Sequence, residues 1–348
     1  MEYFNDFIPP INTTETTYYS LRDLHNFLFG APLWKNGDGS LNRLDNAEEL
    51  MQENNESASL FLNSNANTSG TFLSFYTNSH YLTIHACLSR KYAWLKMLNC
   101  GASGFDVYKK TNSSVYHLTV VAAEEPHNIF SHQIHLGDPG EYIIYFPCYN
   151  YVNHLYIGLD SESILDSSKP FVNNALVFYG NSCTQGASAS RSGNAYVNIL
   201  QRERNCEIFN FSFTGACRAE LSAAKRIVEL MHNTPLDAFI IDCSKNSKSD
   251  EEFASRYPVF YQTIRSAFPR LPIILVGALA TDKYDRVIRE VFGSSKDEPV
   301  YYINLNKLFA GMPLDTFTVD GTHYTDIGMI MVAKAIGNFI SRSNSLIL

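Results

Sequence analysis

The stretch of the sequence that most clearly suggests chemistry surrounds Ser182. A run of β-formers over residues 177–179 leads into Gly180 and Asn181, and the tight turn that they predict presents the serine. Small residues and then a helical pattern from about residue 194 follow. Backbone N–H groups at a strand-to-helix turn of this kind point toward whatever group the serine attacks. Taken alone, the stretch is also typical of a serine that caps a helix, which is the simpler interpretation.

A candidate general base lies near the other end of the chain, in the sequence Asp320-Gly321-Thr322-His323. Imidazole is the side chain that titrates near neutral pH, so His323 is suited to take the proton of a serine hydroxyl and to return it to a leaving group. Asp320, three residues earlier, can hold the imidazole in the required tautomer and stabilise the imidazolium. The alternatives are a surface histidine and an aspartate that caps the final helix.

Two further residues can stabilise negative charge on a reacting carbonyl. Gly215 follows a predicted strand at 207–212, and Asn246 follows another at 238–242. The carboxyl ends of parallel strands meet at one edge of a sheet, so both should converge with Ser182. The backbone N–H groups of Ser182 and Gly215, with the side-chain amide of Asn246, predict an oxyanion hole. A plain turn glycine and an ordinary loop amide are the simpler alternatives.

The second half of the sequence alternates predicted strands with predicted helices. The strands are short and apolar almost throughout, as is typical of a parallel sheet that helices cover on both faces. The strands are predicted at 175–179, 207–212, 238–242, 272–276 and 300–305, and the clearest helices at 221–231, 250–267, 282–292 and 326–340. This alternation predicts a three-layer α/β domain with a parallel sheet.

The first half of the sequence has a different pattern. Residues 1–70 are rich in Asn, Ser, Thr and Glu, and we expect loops with one or two edge strands there. Runs of β-formers then follow at short spacing, without a convincing long helix, at 72–76, 81–86, 104–109, 115–122, 141–146 and 154–159. They predict an antiparallel sandwich or jelly roll. A change of composition over 160–170 places the boundary between a domain at 1–165 and a domain at 171–348.

Four sequence blocks together resemble those of the SGNH, or GDSL-type, hydrolases, whose blocks carry Ser, Gly, Asn and His. They are GNSCTQG (180–186), NFSFTGACRAE (210–220), the stretch from Asp242 to Asn246, and DGTHYTDIG (320–328). The longer stretch YGNSCTQGASASRSGNAY (179–196) is similar to the first block of a bacterial subfamily, which reads Y-G-S-S-x-T-Q-G and then S-R-x-G-x-A-Y. GFDVY (104–108) resembles the G-x-D-[LV]-Y element of the β-sandwich domain of that subfamily. Each block alone is weakly specific, whereas four in the correct order are strongly specific.

The resemblance implies a flavodoxin-like SGNH domain that follows an all-β sandwich or jelly-roll domain. It further implies a serine esterase that hydrolyses short acyl esters, with acetyl groups on carbohydrates as expected substrates. No metal or organic cofactor is expected. In this interpretation Ser182 is the nucleophile of a triad with His323 and Asp320.

Several residues near these motifs have roles that the sequence leaves open. Asn181 stands where the family usually has Asp. Cys183 invites a thiol-nucleophile interpretation, although a cysteine is more often simply buried. Arg191 could bind a substrate carboxylate or could hold its loop in place by hydrogen bonds. His132 and His135 lie in a predicted polar loop and are interpreted as surface residues.

The composition argues against several classes of partner. A formal net charge of −8 argues against nucleic acid. Lys and Arg are scattered and no apolar stretch approaches the length of a membrane span, so we expect no membrane partner. The seven cysteines show no CxxC spacing and no Cys/His cluster, which predicts reduced thiols, no metal site and a cytoplasmic protein. The N-terminal residues lack the pattern of a signal peptide.

Two other functions stay open at this point. In an acyltransferase with the same triad, a small-molecule or sugar alcohol would outcompete water. In a catalytically inactive protein, the sandwich domain would recognise a glycan. The expected partner of the esterase is a small-molecule or carbohydrate acyl ester, and a homo-oligomer is left open.

Overall fold

The computed structural model of the protein describes residues 7–35, 39–54, 57–90, 94–112, 114–124 and 127–345. These residues form two compact units. The first contains the chain up to Leu41, Asn67–Pro170 and Ser190–Gly193, and the second contains Asn42–Ala66, Phe171–Ala189 and the chain from Asn194 onward. The chain therefore passes between the two units several times, whereas the sequence predicted a single domain boundary at 165–171.

The strands and helices follow one another in two groups. The first group is β1 (Thr16–Ser20), β2 (Leu28–Phe29), α1 (Pro32–Lys35), α2 (Ala47–Glu53), α3 (Ala58–Ala66), β3 (Phe72–Thr77), β4 (Tyr81–Leu88), α4 (Asn99–Ser103), β5 (Phe105–Lys110), β6 (Val115–Val121), β7 (Ile129–His135), β8 (Gly140–Tyr145), β9 (Val152–Asp160) and β10 (Leu165–Ser167). The second group is β11 (Ala175–Gly180), α5 (Ser182–Gln185), α6 (Tyr196–Arg204), β12 (Ile208–Ser212), α7 (Leu221–Met231), β13 (Leu236–Asp242), α8 (Asp250–Ala267), β14 (Ile273–Val276), α9 (Asp282–Ser294), β15 (Val300–Ile303), α10 (Leu305–Leu308), α11 (Leu314–Phe317) and α12 (Asp326–Ser345).

The first unit contains two antiparallel sheets. One has the strand order β1-β9-β4-β7, and the other has the order β10-β3-β8-β5-β6, with β2 paired to β3. Apolar side chains from both sheets, including Leu73, Ile84, Val107 and Ile157, form one buried core. The predicted antiparallel all-β architecture is confirmed, because the β-formers of these strands alternate into a shared core.

Strand β7 corrects the prediction of a polar loop around His132 and His135. Both histidines lie on this strand and pair with Ile84 and Tyr81 of β4. β7 lies at an edge of its sheet, and Ser131, His132, Gln133 and His135 are exposed. An edge strand with so many exposed polar residues lacks the apolar alternation by which strands are identified. The histidines are on the surface, as expected.

The segment 42–66 also differs from its prediction of loops and edge strands. It forms the helices α2 and α3, and it belongs to the second unit. The sequence of α3, ASLFLNSNA, lacks a clear apolar stripe, and Phe61 is its only large buried apolar residue. A helix of this kind is stabilised by tertiary packing more than by its intrinsic propensity, so its sequence pattern does not reveal it.

The second unit is a three-layer α/β structure, as predicted. Its parallel sheet has the strand order β12-β11-β13-β14-β15. On one face α7 contacts α8 and α8 contacts α9, and these helices bury alternate strand residues such as Val177, Phe239 and Leu275. α6 and α12 contact one another, and the ring of Phe178 on β11 lies 6.0 Å from that of Tyr196 on α6. None of the helices in the described ranges is both long and apolar enough to cross a membrane.

Truncating Phe260 should destabilise the second unit strongly. Phe260 on α8 is fully buried, and its ring lies 4.2 Å from that of Tyr179 on β11. Phe260→Ala leaves a cavity and should cost about 3–5 kcal/mol of unfolding free energy. The neighbouring Val259 is 48% exposed, so Val259→Ala should change stability by no more than about 0.5 kcal/mol. Urea unfolding followed by circular dichroism measures both variants, and equal midpoints for the two would contradict this packing.

Candidate active site

The order and register of the parallel sheet bring three loops to one edge. β11 lies between β12 and β13, and Gly180 at its end pairs with Ser212 of β12 and Asp242 of β13. Ser182, Gly215 and Asn246 follow these three strand ends. The loops that carry the predicted nucleophile and the two predicted oxyanion donors therefore leave the sheet side by side.

The turn that presents Ser182 is held by its own side chains. Asn181 caps the four-residue helix α5, since its Oδ1 accepts a hydrogen bond of 2.8 Å from the N–H of Cys183. Gly180 is required for steric reasons, because a Cβ at this position would overlap the side chain of Thr184. Asn181 is uncharged, but it caps the helix in the way that the family's usual Asp would. Ser182 itself is half-buried.

Ser182, His323 and Asp320 lie in a continuous chain of hydrogen-bonding groups. Nε2 of His323 is 3.0 Å from Oγ of Ser182, and Nδ1 of His323 is 2.9 Å from Oδ2 of Asp320. An ionised carboxylate only accepts hydrogen bonds, so Nδ1 carries the proton and Nε2 is left to accept from the serine. This is the tautomer that a general base needs.

The turn around Asp320 fixes the orientation of the histidine. Oδ1 of Asp320 accepts hydrogen bonds from the backbone N–H groups of Thr322 and His323, at 3.1 and 2.9 Å. Gly321 has φ of +80°, a left-handed conformation that glycine adopts without strain. The side chains of Asp320 and His323 are only 15% and 17% exposed. The pair is thus both held and partly shielded from water before any substrate arrives.

The loop that contains Gly215 is anchored on both sides. The N–H of Thr214 donates to Oε1 of Gln185 at 3.1 Å, and Oγ of Ser64 on α3 donates to the carbonyl of Thr214 at 3.3 Å. Arg43 donates to the carbonyl of Ser212 through Nη1. Gly215 has φ of +68°, again in the left-handed region. These contacts fix the direction of the Gly215 backbone relative to α5.

Asn246 lies in the loop after β13 and is half-buried. Its Oδ1 is buried and has no hydrogen-bond partner within the described ranges. Lys245, directly before it, has φ of +70°. The position of this loop beside Ser182 follows from the strand register, whereas the donor role of the Asn246 amide stays a prediction.

Arg191 is engaged within the first unit. Nη1 of Arg191 lies 3.0 Å from Oδ2 of Asp106 and also contacts the hydroxyl of Tyr108. The same Asp106 oxygen accepts a hydrogen bond of 2.8 Å from the N–H of Gly193, and Nε2 of His117 lies 2.8 Å from the other oxygen. These contacts are those of the loop-holding alternative, and the substrate-binding role of Arg191 stays a prediction.

The position of Cys183 does not suit a nucleophile. Its thiol is buried, and Sγ lies 3.4 Å from the carbonyl oxygen of Thr322. Burial raises the pKa of the Cys183 thiol well above its usual value, and the nearby Asp242 carboxylate raises it further. Because the thiolate is the reactive form, the neighbouring Ser182 is the better candidate.

A buried polar cluster beneath the turn that presents Ser182 was not identified from the sequence. Oδ2 of Asp242 accepts a hydrogen bond of 3.0 Å from Thr184, and the hydroxyl of Tyr196 lies 3.0 Å from the same oxygen. Burial raises the pKa of the Asp242 carboxyl, and the two hydroxyl groups oppose this by stabilising the carboxylate. The sequence signal that could have identified this cluster was the pairs Thr184-Gln185 and Ala195-Tyr196, which match the subfamily pattern within the stretch 179–196. No comparable signal marked Arg43.

No metal-binding group accompanies the site in the part of the chain that the structure describes: no three His, Cys, Asp or Glu side chains lie close enough to hold an ion.

Two family models match consecutive parts of the chain. Residues 16–165 match the family described as "N-terminus of Esterase_SGNH_hydro-type", and residues 173–291 match the GDSL-like Lipase/Acylhydrolase family. No curated protein matches the chain in sequence.

Several solved structures resemble the whole chain. A Bacteroides ovatus protein described as a GDSL-like lipase shares 25% identity, with a TM-score of 0.78 over 95% of this chain and 98% of its own. The salicylyl-acyltransferase SsfX3 of a tetracycline biosynthetic pathway shares 15% identity, with a TM-score of 0.72 over 95% and 98%. A family two carbohydrate esterase from Cellvibrio japonicus shares 12% identity, with a TM-score of 0.56 over 94% and 98%. The last two comparisons support the fold.

The thiol of Cys183 should be unreactive in the native protein. Its burial and raised pKa leave little accessible thiolate at pH 8, whereas Cys100 is partly exposed. Alkylation with iodoacetamide, followed by peptide mass spectrometry, should modify Cys100 first and Cys183 only after unfolding. Modification of both at the same rate in the folded protein would show that the Cys183 thiol is accessible.

Proposed function

We propose, from the premise that the chain belongs to the GDSL-like lipase/acylhydrolase family and begins with the N-terminal region of SGNH-type esterases, that it is a serine esterase. The family and the solved neighbours together make it an enzyme that acts on esters. The observation that carries the finer proposal is the contact of 3.0 Å between Nε2 of His323 and Oγ of Ser182, with Asp320 on the other ring nitrogen.

In the proposed reaction, Ser182 attacks the ester carbonyl while His323 takes the hydroxyl proton. The resulting imidazolium is stabilised by Asp320 and then protonates the leaving alcohol. Water resolves the acyl-enzyme by the same route, with His323 as the base. Both proton transfers therefore pass through Nε2 of His323, which the turn at 320–323 holds toward the serine.

Negative charge that develops on the carbonyl oxygen needs donors already in place. The backbone N–H groups of Ser182 and Gly215 and the amide of Asn246 supply them in this proposal. The support is the side-by-side exit of their loops from the sheet and the anchoring of the Gly215 loop by Gln185. Removal of one such donor typically lowers turnover on the order of 10²–10³-fold.

We further propose short acyl esters, with acetyl groups on carbohydrates as the leading class. The family two carbohydrate esterase with this fold supports this choice. A second candidate is an acyltransferase, which the likeness to the salicylyl-acyltransferase supports. Both reactions pass through the same acyl-enzyme, so only the acceptor distinguishes them. The test measures the products of p-nitrophenyl acetate turnover with and without added sugar or small-molecule alcohols. An acyltransferase forms acetylated acceptor, whereas an esterase forms acetate.

A fluorophosphonate probe should label the native protein at Ser182. Labelling requires a serine activated by a base, which the contact with His323 supplies. Ser182→Ala should abolish labelling, whereas Ser188→Ala, six residues later in the same block, should leave it unchanged. Wild-type protein that is correctly folded and resists the probe would contradict the esterase proposal and favour the inactive glycan-binding protein.

Asp320→Asn should reduce turnover less than His323→Ala. Loss of the imidazole removes the base, which in such triads costs about 10⁶ in kcat, whereas a mispositioned tautomer costs about 10⁴. Measurement of kcat on p-nitrophenyl acetate for both variants tests this order. Full activity of Asp320→Asn would mean that Ser182 and His323 work as a dyad without the carboxylate.

A further inference from the structure

Helix α3 packs directly on the loop that leads to Gly215. The ring of Phe61 lies 4.8 Å from that of Phe213, and Oγ of Ser64 donates to the carbonyl of Thr214. All of these residues belong to the second unit. The helix is therefore held against the residues that position the proposed oxyanion donor, although the Ser64–Thr214 contact joins residues 150 positions apart in the sequence.

One side chain of this helix lies beside Gly215 itself. A Cβ built on Gly215 would meet Cδ1 of Leu60 at 3.2 Å, and no other heavy atom of the described residues, its chain neighbours aside, lies within 4 Å. Leu60 is 46% exposed. A single exposed leucine is ordinary on a protein surface. What distinguishes Leu60 is that its apolar Cδ1 lies next to the glycine whose N–H is the predicted oxyanion donor.

We propose that Leu60 is a specificity-determining residue that forms the wall of the acyl-binding subsite and limits the length of the acyl chain. This inference rests on the proposed function. In this proposal, an ester whose carbonyl oxygen accepts a hydrogen bond from the Gly215 N–H is held at the same glycine that Leu60 adjoins.

The chemistry of the two substituents assigns the acyl group to this side. The alcohol oxygen must face His323, which protonates it as it leaves. The acyl chain has no such requirement and is apolar, so its burial against a leucine is favourable, whereas a polyhydroxylated alcohol gains nothing there. Leu60 therefore acts on the acyl part of the substrate, and its volume sets how far a chain can extend past Gly215.

The test compares p-nitrophenyl acetate, butyrate and hexanoate in the wild type and in two Leu60 variants. Leu60→Ala opens the subsite and should raise the ratio of kcat/KM for hexanoate over acetate roughly 10-fold. Leu60→Phe fills the subsite and should lower that ratio by a similar factor. A ratio measured within one preparation is independent of the fraction of folded enzyme, so partial loss of stability does not obscure the result.

Leu62→Ala is the matched control. Leu62 is the same residue type on the same helix and is 44% exposed, but two residues turn the helix by about 200°, which points it elsewhere. The acyl preference of the Leu62→Ala variant should equal that of the wild type. The same change in Leu62→Ala, or no change in either Leu60 variant, would overturn the inference. The inference would also be overturned if the Leu60 variants changed only the preference among acetate esters of different alcohols.

Failure of the inference is distinguishable from failure of the proposed function. A wild type that hydrolyses none of these esters and is not labelled by the fluorophosphonate overturns both. An active wild type whose acyl preference is unaffected by Leu60→Ala and Leu60→Phe overturns only the role of Leu60 and leaves the serine esterase in place.

Discussion

Parallel pairing of β11 with β12 and β13 is the constraint on which the rest of the candidate site depends. Backbone hydrogen bonds set Gly180 level with Ser212 on one side and Asp242 on the other. Since a one-residue slip of the register would turn every side chain of a strand to the opposite face of the sheet, the alignment of the three strand ends is strongly specified. Loops that leave such an edge can hold reacting groups at fixed separations, which a catalytic arrangement requires.

Two polar arrangements convert this alignment into a site with defined chemistry. Below the turn that presents Ser182, the buried carboxyl group of Asp242 accepts hydrogen bonds from the hydroxyl groups of Thr184 and Tyr196, so that α5 is tied to the end of β13. Above it, the carboxylate of Asp320 holds both the backbone and the imidazole of His323. Buried polar groups are costly unless they are paired, so each network favours one geometry over its alternatives. The serine and the histidine thus meet without the need for substrate to reorganise them.

The described residues of the segment 42–66 contact the loop that leads to Gly215. Arg43 and Ser64 bind carbonyl groups on either side of Phe213, and Phe61 packs on that ring. The segment joins the α/β unit although the chain then returns to the sandwich unit before the sheet begins. The contacts of this segment with residues 212–214 therefore join two parts of the chain that are far apart in sequence.

The sequence by itself determined much of this protein. The strands of the parallel sheet and the helices α7, α8 and α9 were predicted to within two residues at each end. A buried parallel sheet demands continuous apolar runs, and its helices demand an apolar face. Ser182, His323 and Asp320 were predicted as a triad from residue type and short local motifs, and the structure brings them within hydrogen-bonding distance of one another. The antiparallel sandwich was likewise visible in its alternating strands.

Tertiary structure alone decided the remainder. Strand β7 and helices α2 and α3 carry few buried apolar residues, so long-range contacts rather than local pattern stabilise them. Arg191 could serve a substrate or its own loop, and only the folded chain shows its partners in Asp106 and Tyr108. Leu60 lies beside Gly215 for the same reason: contacts between residues far apart in sequence leave no periodicity in the sequence, and only packing creates them.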